Sequence, residues 1–112
     1  MLLPFVLAAL TAPVPAASAP AAAATIHIEN FTFVPSTVTV RTNQSVTFVN
    51  DDDEAHTVTA KDKSFDSEGL DSQRSWTHVF TQSGTFAYFC ELHPSMKATI
   101  VVAGAAAKPA SR

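Results

Sequence analysis

The sequence predicts an all-β protein, a single antiparallel β-sandwich. Three observations carry this. Apolar residues after position 25 recur with period two rather than 3.6. The alternating runs are rich in Thr, Val and aromatic residues, which suit a pleated, half-buried surface. Turn-forming clusters separate the runs at short intervals.

The runs come in order. Ile26 and Ile28 alternate with Thr25 and His27. Val38 and Val40 alternate with Thr37, Thr39 and Arg41. Val46 and Phe48 alternate with Ser45 and Thr47, and His56 and Val58 with Thr57 and Thr59. Trp76 to Phe80, Thr85 to Cys90 and Ala98 to Val102 complete seven short strands. Between them lie Val34-Pro35-Ser36, Thr42-Asn43-Gln44, Asn50 to Asp53 and Gln82-Ser83-Gly84, all turn chemistry. Residues 60 to 75 are polar without a clear period and read as a loop with room for one helical turn. Seven strands at this spacing fit a sandwich.

The 112 residues suffice for one domain. Residues 1–24 differ from the rest: an apolar run from Met1 to Leu10, then an Ala/Pro/Ser stretch, with no charged side chain. This pattern reads as a secretory signal peptide, although its n-region lacks Lys or Arg. Ala22-Ala23-Ala24 offers a cleavage site before Thr25, and Ala19 a second one compromised by Pro20. The other reading of this stretch is a disordered Ala/Pro tail. The apolar run is far shorter than the ~20 residues that cross a bilayer. Residues 25–103 are expected to form the domain, and residues 104–112 a flexible tail. The expected chain is thus exported and periplasmic or otherwise extracytoplasmic, with no membrane span.

There is one cysteine, so no internal disulfide can form. Small exported domains often depend on disulfides, and a bound metal is another source of stability. The leader has no cysteine for lipid attachment. The net charge of −3 argues against a nucleic-acid partner.

The segment Tyr88-Phe89-Cys90-Glu91-Leu92-His93-Pro94-Ser95-Met96-Lys97 contains Cys-x-x-His-x-x-Met. Alternation puts Phe86, Tyr88 and Cys90 on one face, pointing into the core. Pro94 cannot continue the strand because it has no amide hydrogen. A tight turn there brings His93 and Met96 back toward the Cys90 sulfur. Thiolate, imidazole and thioether together suit copper in both oxidation states, and a trigonal Cys-His-His set with a weak axial Met defines a blue electron-transfer site. The second histidine is expected to be His56, which shares a face with Val58 just past the acidic turn. His27 and His78 read as surface positions.

Taken singly, Cys90 would be a buried small hydrophobe, and His93 and Met96 loop residues. Their conjunction points to copper. Zinc is the rival metal, but structural zinc sites use Cys, His and carboxylate, not Met. A catalytic Cys-His pair has no evident cleft beside an inward thiol. Asp51-Asp52-Asp53-Glu54 reads as a solvated turn, and a calcium role has no ligand spacing behind it.

The chain resembles the cupredoxins, the small blue copper proteins, from about Ile26 to Val102. The resemblance rests on Asn30-Phe31-Thr32-Phe33-Val34-Pro35, Val46-Thr47-Phe48-Val49-Asn50, His56-Thr57-Val58, Gly84-Thr85-Phe86-Ala87-Tyr88-Phe89-Cys90, His93-Pro94 and Met96-Lys97. The two-residue gaps on both sides of His93 are similar to the amicyanin-like group; plastocyanin-like proteins have a longer His-to-Met gap. The resemblance implies a Greek-key β-sandwich with one copper ion at one end, held by His56, Cys90, His93 and Met96. It implies one-electron transfer between Cu(II) and Cu(I) without catalysis, by a monomer serving exported redox proteins. The alternative is a periplasmic copper-binding and delivery protein with no electron-carrier role. Thr57 stands where amicyanin-like proteins usually carry Asn, and is expected to tie the two ligand loops less firmly. Asn43 replaces a common Gly, and Ala98 a frequent Gly after Met-Lys.

Overall fold

Alternation of apolar and polar side chains gives each run one dry face, and two such faces meet. The computed structural model describes residues 24–104. The leader reading, but for Ala24, and the tail reading beyond Gly104 lie outside the described residues. The strands are β1 (Ala24–Glu29), β2 (Thr32–Val34), β3 (Thr37–Arg41), β4 (Gln44–Asn50), β5 (Thr59–Ala60), β6 (Ser75–Phe80), β7 (Gly84–Phe89) and β8 (Lys97–Ala103). They form two four-stranded sheets, ordered β2-β1-β4-β6 and β3-β8-β7-β5. Among the described residues there is no helix.

The sandwich is the expected one, with details that period-two alternation does not encode. Strands β1 and β4 pair in parallel, as do β3 and β8; the other ladders are antiparallel. Such non-sequential neighbours require the chain to cross between sheets, as in Greek-key connectivity. There are eight strands rather than seven. The addition is β2, and His56 precedes β5 instead of opening it.

Ile26, Ile28, Val46 and Phe48 from one sheet face Val40, Tyr88, Ile100 and Val102 from the other. Burying such a side chain is worth about 1.5–3 kcal/mol relative to exposure. Residues 60 to 75 are a loop, but not a loose one. They fold back beside β5: Ala60 N donates to Phe65 O, Ser67 N to Val58 O and Leu70 N to His56 O, at 2.8–2.9 Å. Phe65 and Leu70 enter the core.

His78 corrects the surface assignment. On β6 the inward residues are Trp76, His78 and Phe80, while Val79 is exposed. The His78 ring stacks on Trp76 with centroids 5.2 Å apart, and burial pushes its imidazole below the ordinary value. His27 faces outward as expected and pairs with Asp51 at 2.6 Å.

The Tyr88 hydroxyl is buried and, among the described residues, has no hydrogen-bond partner. Burial also drives its phenol far above the usual value. An unsatisfied buried hydroxyl costs about 1–3 kcal/mol. Tyr88→Phe is therefore expected to stabilise the metal-free protein by about 1 kcal/mol, measured by urea unfolding. A loss of stability would mean that the hydroxyl is satisfied in solution.

Candidate metal centre

The centre is built at one end of the sandwich, where β4 runs out. Asn50 is fully buried and ties the following loop: its Nδ2 donates to Glu54 O (2.8 Å) and Leu70 O (2.9 Å), and its Oδ1 accepts from Asp52 N (2.9 Å). The loop then delivers His56, which exchanges both backbone hydrogen bonds with Leu70. His56 is wholly buried.

Asp52 holds its ring. Its Oδ2 lies 2.9 Å from His56 Nε2 and accepts from Phe31 N (2.8 Å), while Oδ1 accepts from Asn30 N (2.7 Å). Burial alone would raise this acid. The hydrogen bonds from Phe31, His56 and Asn30 outweigh it, so the carboxyl lies below its usual value. An ionised carboxylate only accepts, so the His56 proton sits on Nε2 and the Nδ1 lone pair faces inward. The acidic run was expected to be a solvated turn. Asp51 and Asp53 fit that better than Asp52, which is mostly buried and structural.

Cys90 follows β7 and is fully buried. Beyond it the chain turns twice: His93 N donates to Cys90 O (3.1 Å) and Met96 N to His93 O (2.8 Å), and Cys90 N closes the loop on Met96 O (3.1 Å). The turn expected at Pro94 is therefore present. Cys90 Sγ stands 3.7 Å from His56 Nδ1 and 3.7 Å from His93 Nδ1. The three donor atoms all lie within 4.8 Å of one another. Met96 is buried in the same loop, and His93 is half-buried.

This donor set fits a copper ion. Bonds from Cys sulfur and His nitrogen to first-row metals run about 2.0–2.3 Å. A trigonal arrangement spaces its donors √3 times farther apart, roughly 3.5–4 Å, and both sulfur–nitrogen distances fall in that range. One thiolate with two imidazoles is the chemistry of a copper site that changes oxidation state. His27, Glu29 and Asp51 also gather side chains of metal-binding type, but on the exposed outer face, with His27 already paired.

A sequence profile of the cupredoxin-like domain matches residues 1–102. The chain belongs to the cupredoxin-like family. This cupredoxin is 30% identical to amicyanin of Paracoccus versutus over 95 residues, covering 80% of its own length and 72% of amicyanin's. Solved structures share its fold at lower identity. A Cu(I) form of a methionine-to-alanine variant of amicyanin matches at TM-score 0.67 and 24% identity, over 71% of this chain and 81% of that one. A purple cupredoxin from Nitrosopumilus maritimus matches at TM-score 0.67 and 24% identity, over 71% and 99%.

Thr57 sits between the two ligand loops. In this cupredoxin it ties the two loops directly. Its Oγ1 accepts from Glu91 N at 2.7 Å, and its own N–H donates to Cys90 Sγ at 3.3 Å. Register explains the contact. Thr59 pairs with Phe89 on the antiparallel β5–β7 ladder, so Thr57 falls opposite Glu91, and its side chain continues the ladder past the strand end. The hydroxyl is itself fixed by Thr59 Oγ1 at 3.0 Å, and Thr59 by Asp66 Oδ1 at 3.1 Å. Asp52 and Phe31, the other residues that shape the centre, carried no sequence signal of their role. Asp52 reaches His56 four residues on, but its bonds to Asn30 and Phe31 span about twenty residues, and Phe31 meets His56 and His93 from farther still.

Proposed function

We propose that this protein is a one-electron carrier whose copper ion is held by His56 Nδ1, Cys90 Sγ and His93 Nδ1, with Met96 as a weak fourth ligand. Bound copper supplies the redox chemistry by passing between Cu(II) and Cu(I). The convergence of one sulfur and two nitrogens at 3.7 Å is the observation that carries the reading. The amicyanin relative supports it.

The chain's task is to hold the donors in one arrangement for both oxidation states. Asp52 fixes the His56 tautomer, and the Thr57 amide aims at the sulfur and lowers the electron density on it. Burial of Cys90 and His56 keeps water from their side chains. The same burial disfavours the alternative of copper delivery, which needs an ion that leaves easily. His93 is more open and stands beside Leu92, which is 55% exposed, and Phe31. This edge is the proposed door for electrons, and its apolar rim the surface on which redox partners dock. We place the protein outside the cytoplasm, as an exported monomer between a donor and an acceptor protein, without catalysis of its own. No helix among the described residues is long and apolar enough to cross a membrane.

The visible spectrum of copper-loaded protein tests the reading. Thiolate-to-Cu(II) charge transfer gives an intense band. A weak band typical of nitrogen and oxygen ligands alone would refute it. Voltammetry should then give a reversible one-electron couple.

Met96→Gln is expected to keep copper and lower the reduction potential, because Met96 would be the weakest of the four ligands and a harder oxygen donor favours Cu(II). Voltammetry and metal analysis check this together. Complete loss of copper would make Met96 a primary ligand and overturn the trigonal arrangement.

A further inference from the structure

Phe31 combines an uncommon backbone with an uncommon position. Asn30 and Phe31 adopt left-handed conformations one after the other in the β1–β2 turn, at φ 53° and 58°. Asparagine accepts that region, whereas a bulky side chain there is an outlier. Phe31 is the only aromatic residue among the positive-φ positions of the described chain. The conformation is imposed by Asp52, which takes both amides as well as His56 Nε2.

The ring produced by this turn meets both imidazoles edge-on. Its centroid lies 5.0 Å from that of His56 and 4.8 Å from that of His93, at interplanar angles of 89° and 88°. It spans the notch between them and still leaves 44% of the residue exposed. Hydrophobic burial does not account for an exposed phenylalanine in a conformation that glycine would adopt freely. What the ring covers does. His56 is oriented by Asp52. Among the described residues, the His93 ring has no hydrogen-bond partner besides the Cys90 sulfur, so packing must orient it.

We propose that Phe31 is a positioning residue that caps the metal centre: its ring wedges between the His56 and His93 imidazoles, holds His93 in register with Cys90, and bars solvent and chelators from the donors. This rests on the copper reading above. Asp52 thereby acts on both histidines, on His56 directly and on His93 through the ring it fixes.

Phe31→Gly separates the cap from mere stability, because it deletes the ring while relieving the backbone. With full-length protein loaded with Cu(II), loss of the thiolate charge-transfer band is followed after addition of excess EDTA. The expected result is release about tenfold faster than wild type, the scale of losing aromatic edge contacts, together with an altered Cu(II) EPR spectrum as His93 shifts. Phe31→Leu should fall between the two. Val79→Ala, an exposed apolar truncation on the outer face of β6, should release at the wild-type rate. The melting temperature of metal-free Phe31→Gly should not lie below that of Phe31→Ala. Wild-type release with an unchanged spectrum in Phe31→Gly would overturn the cap and leave the copper reading intact. Release rates that merely track the apo melting temperature across all variants would also overturn it. If wild-type protein takes up no thiolate-bound copper, the copper reading fails and the cap with it.

Discussion

Cys90→Ser is expected to abolish the intense visible band and to weaken copper binding by about two to three orders of magnitude. The sulfur is the only anionic donor of the three that converge, and the band arises from its electrons. Structural zinc sites with four ligands bind with roughly 10–16 kcal/mol. Removing one ligand from a site of that strength forfeits about 3–4 kcal/mol, a few hundredfold in dissociation constant. The metal-free fold should survive. Serine is smaller than cysteine by little, and its hydroxyl can accept the Thr57 amide that now reaches Sγ at 3.3 Å. Competition with a chelator measures the affinity, and circular dichroism the fold. Retention of the band, or an affinity within tenfold of wild type, would sink the ligand assignment.

Copper should also stabilise the protein strongly. A ligand that binds only the native state adds about 2.7 kcal/mol at a hundred times its dissociation constant and about 4.1 at a thousand times. For a domain of this size each kcal/mol moves the melting temperature by about 4–8 °C. Saturating copper is thus expected to raise it by roughly 10–30 °C. The site joins the segment after β4 to the turn after β7, and His56 and Cys90 are 34 residues apart, so the ion closes a long stretch of chain. Calorimetry of apo and copper-loaded protein decides the matter, with metal content assayed to exclude zinc. Equal melting temperatures would mean that the metal lies outside the folded framework.

The sandwich was legible because alternation is a local property: Ile26, Ile28, Val46 and Phe48 declare their inward face within a few residues. The cluster of Cys90, His93 and Met96 was legible because its spacing is local too. What escaped was everything decided by pairing. The parallel β1–β4 and β3–β8 ladders join segments far apart in sequence. Phe65 and Leu70 were lone apolar residues in a polar stretch. Large apolar side chains in such a setting are a usable signal that the loop is anchored. His78 was read from its neighbours, although Trp76 and Phe80 share its face and only Val79 turns outward. Thr57 was judged by what it lacks relative to Asn, while its role depends on the register that sets it opposite Glu91. Asp52 is one of four consecutive acids, and nothing local distinguishes the one that turns in.

Three of the four proposed ligands, Cys90, His93 and Met96, lie within one seven-residue segment, and His56 comes from elsewhere. Closing so short a loop costs little chain entropy even when the sheets have not formed. The unfolded polypeptide would therefore keep a soft-donor clasp of its own, within reach of copper before the sandwich has formed. His56 joins only when the β4 end, the Asp52 contacts and the β5–β7 ladder have brought it to the sulfur. The clasp also gives copper some hold on the denatured chain, which trims the rise in melting temperature below what affinity for the native state alone would give. Binding of the metal and closure of the sandwich would thus be coupled.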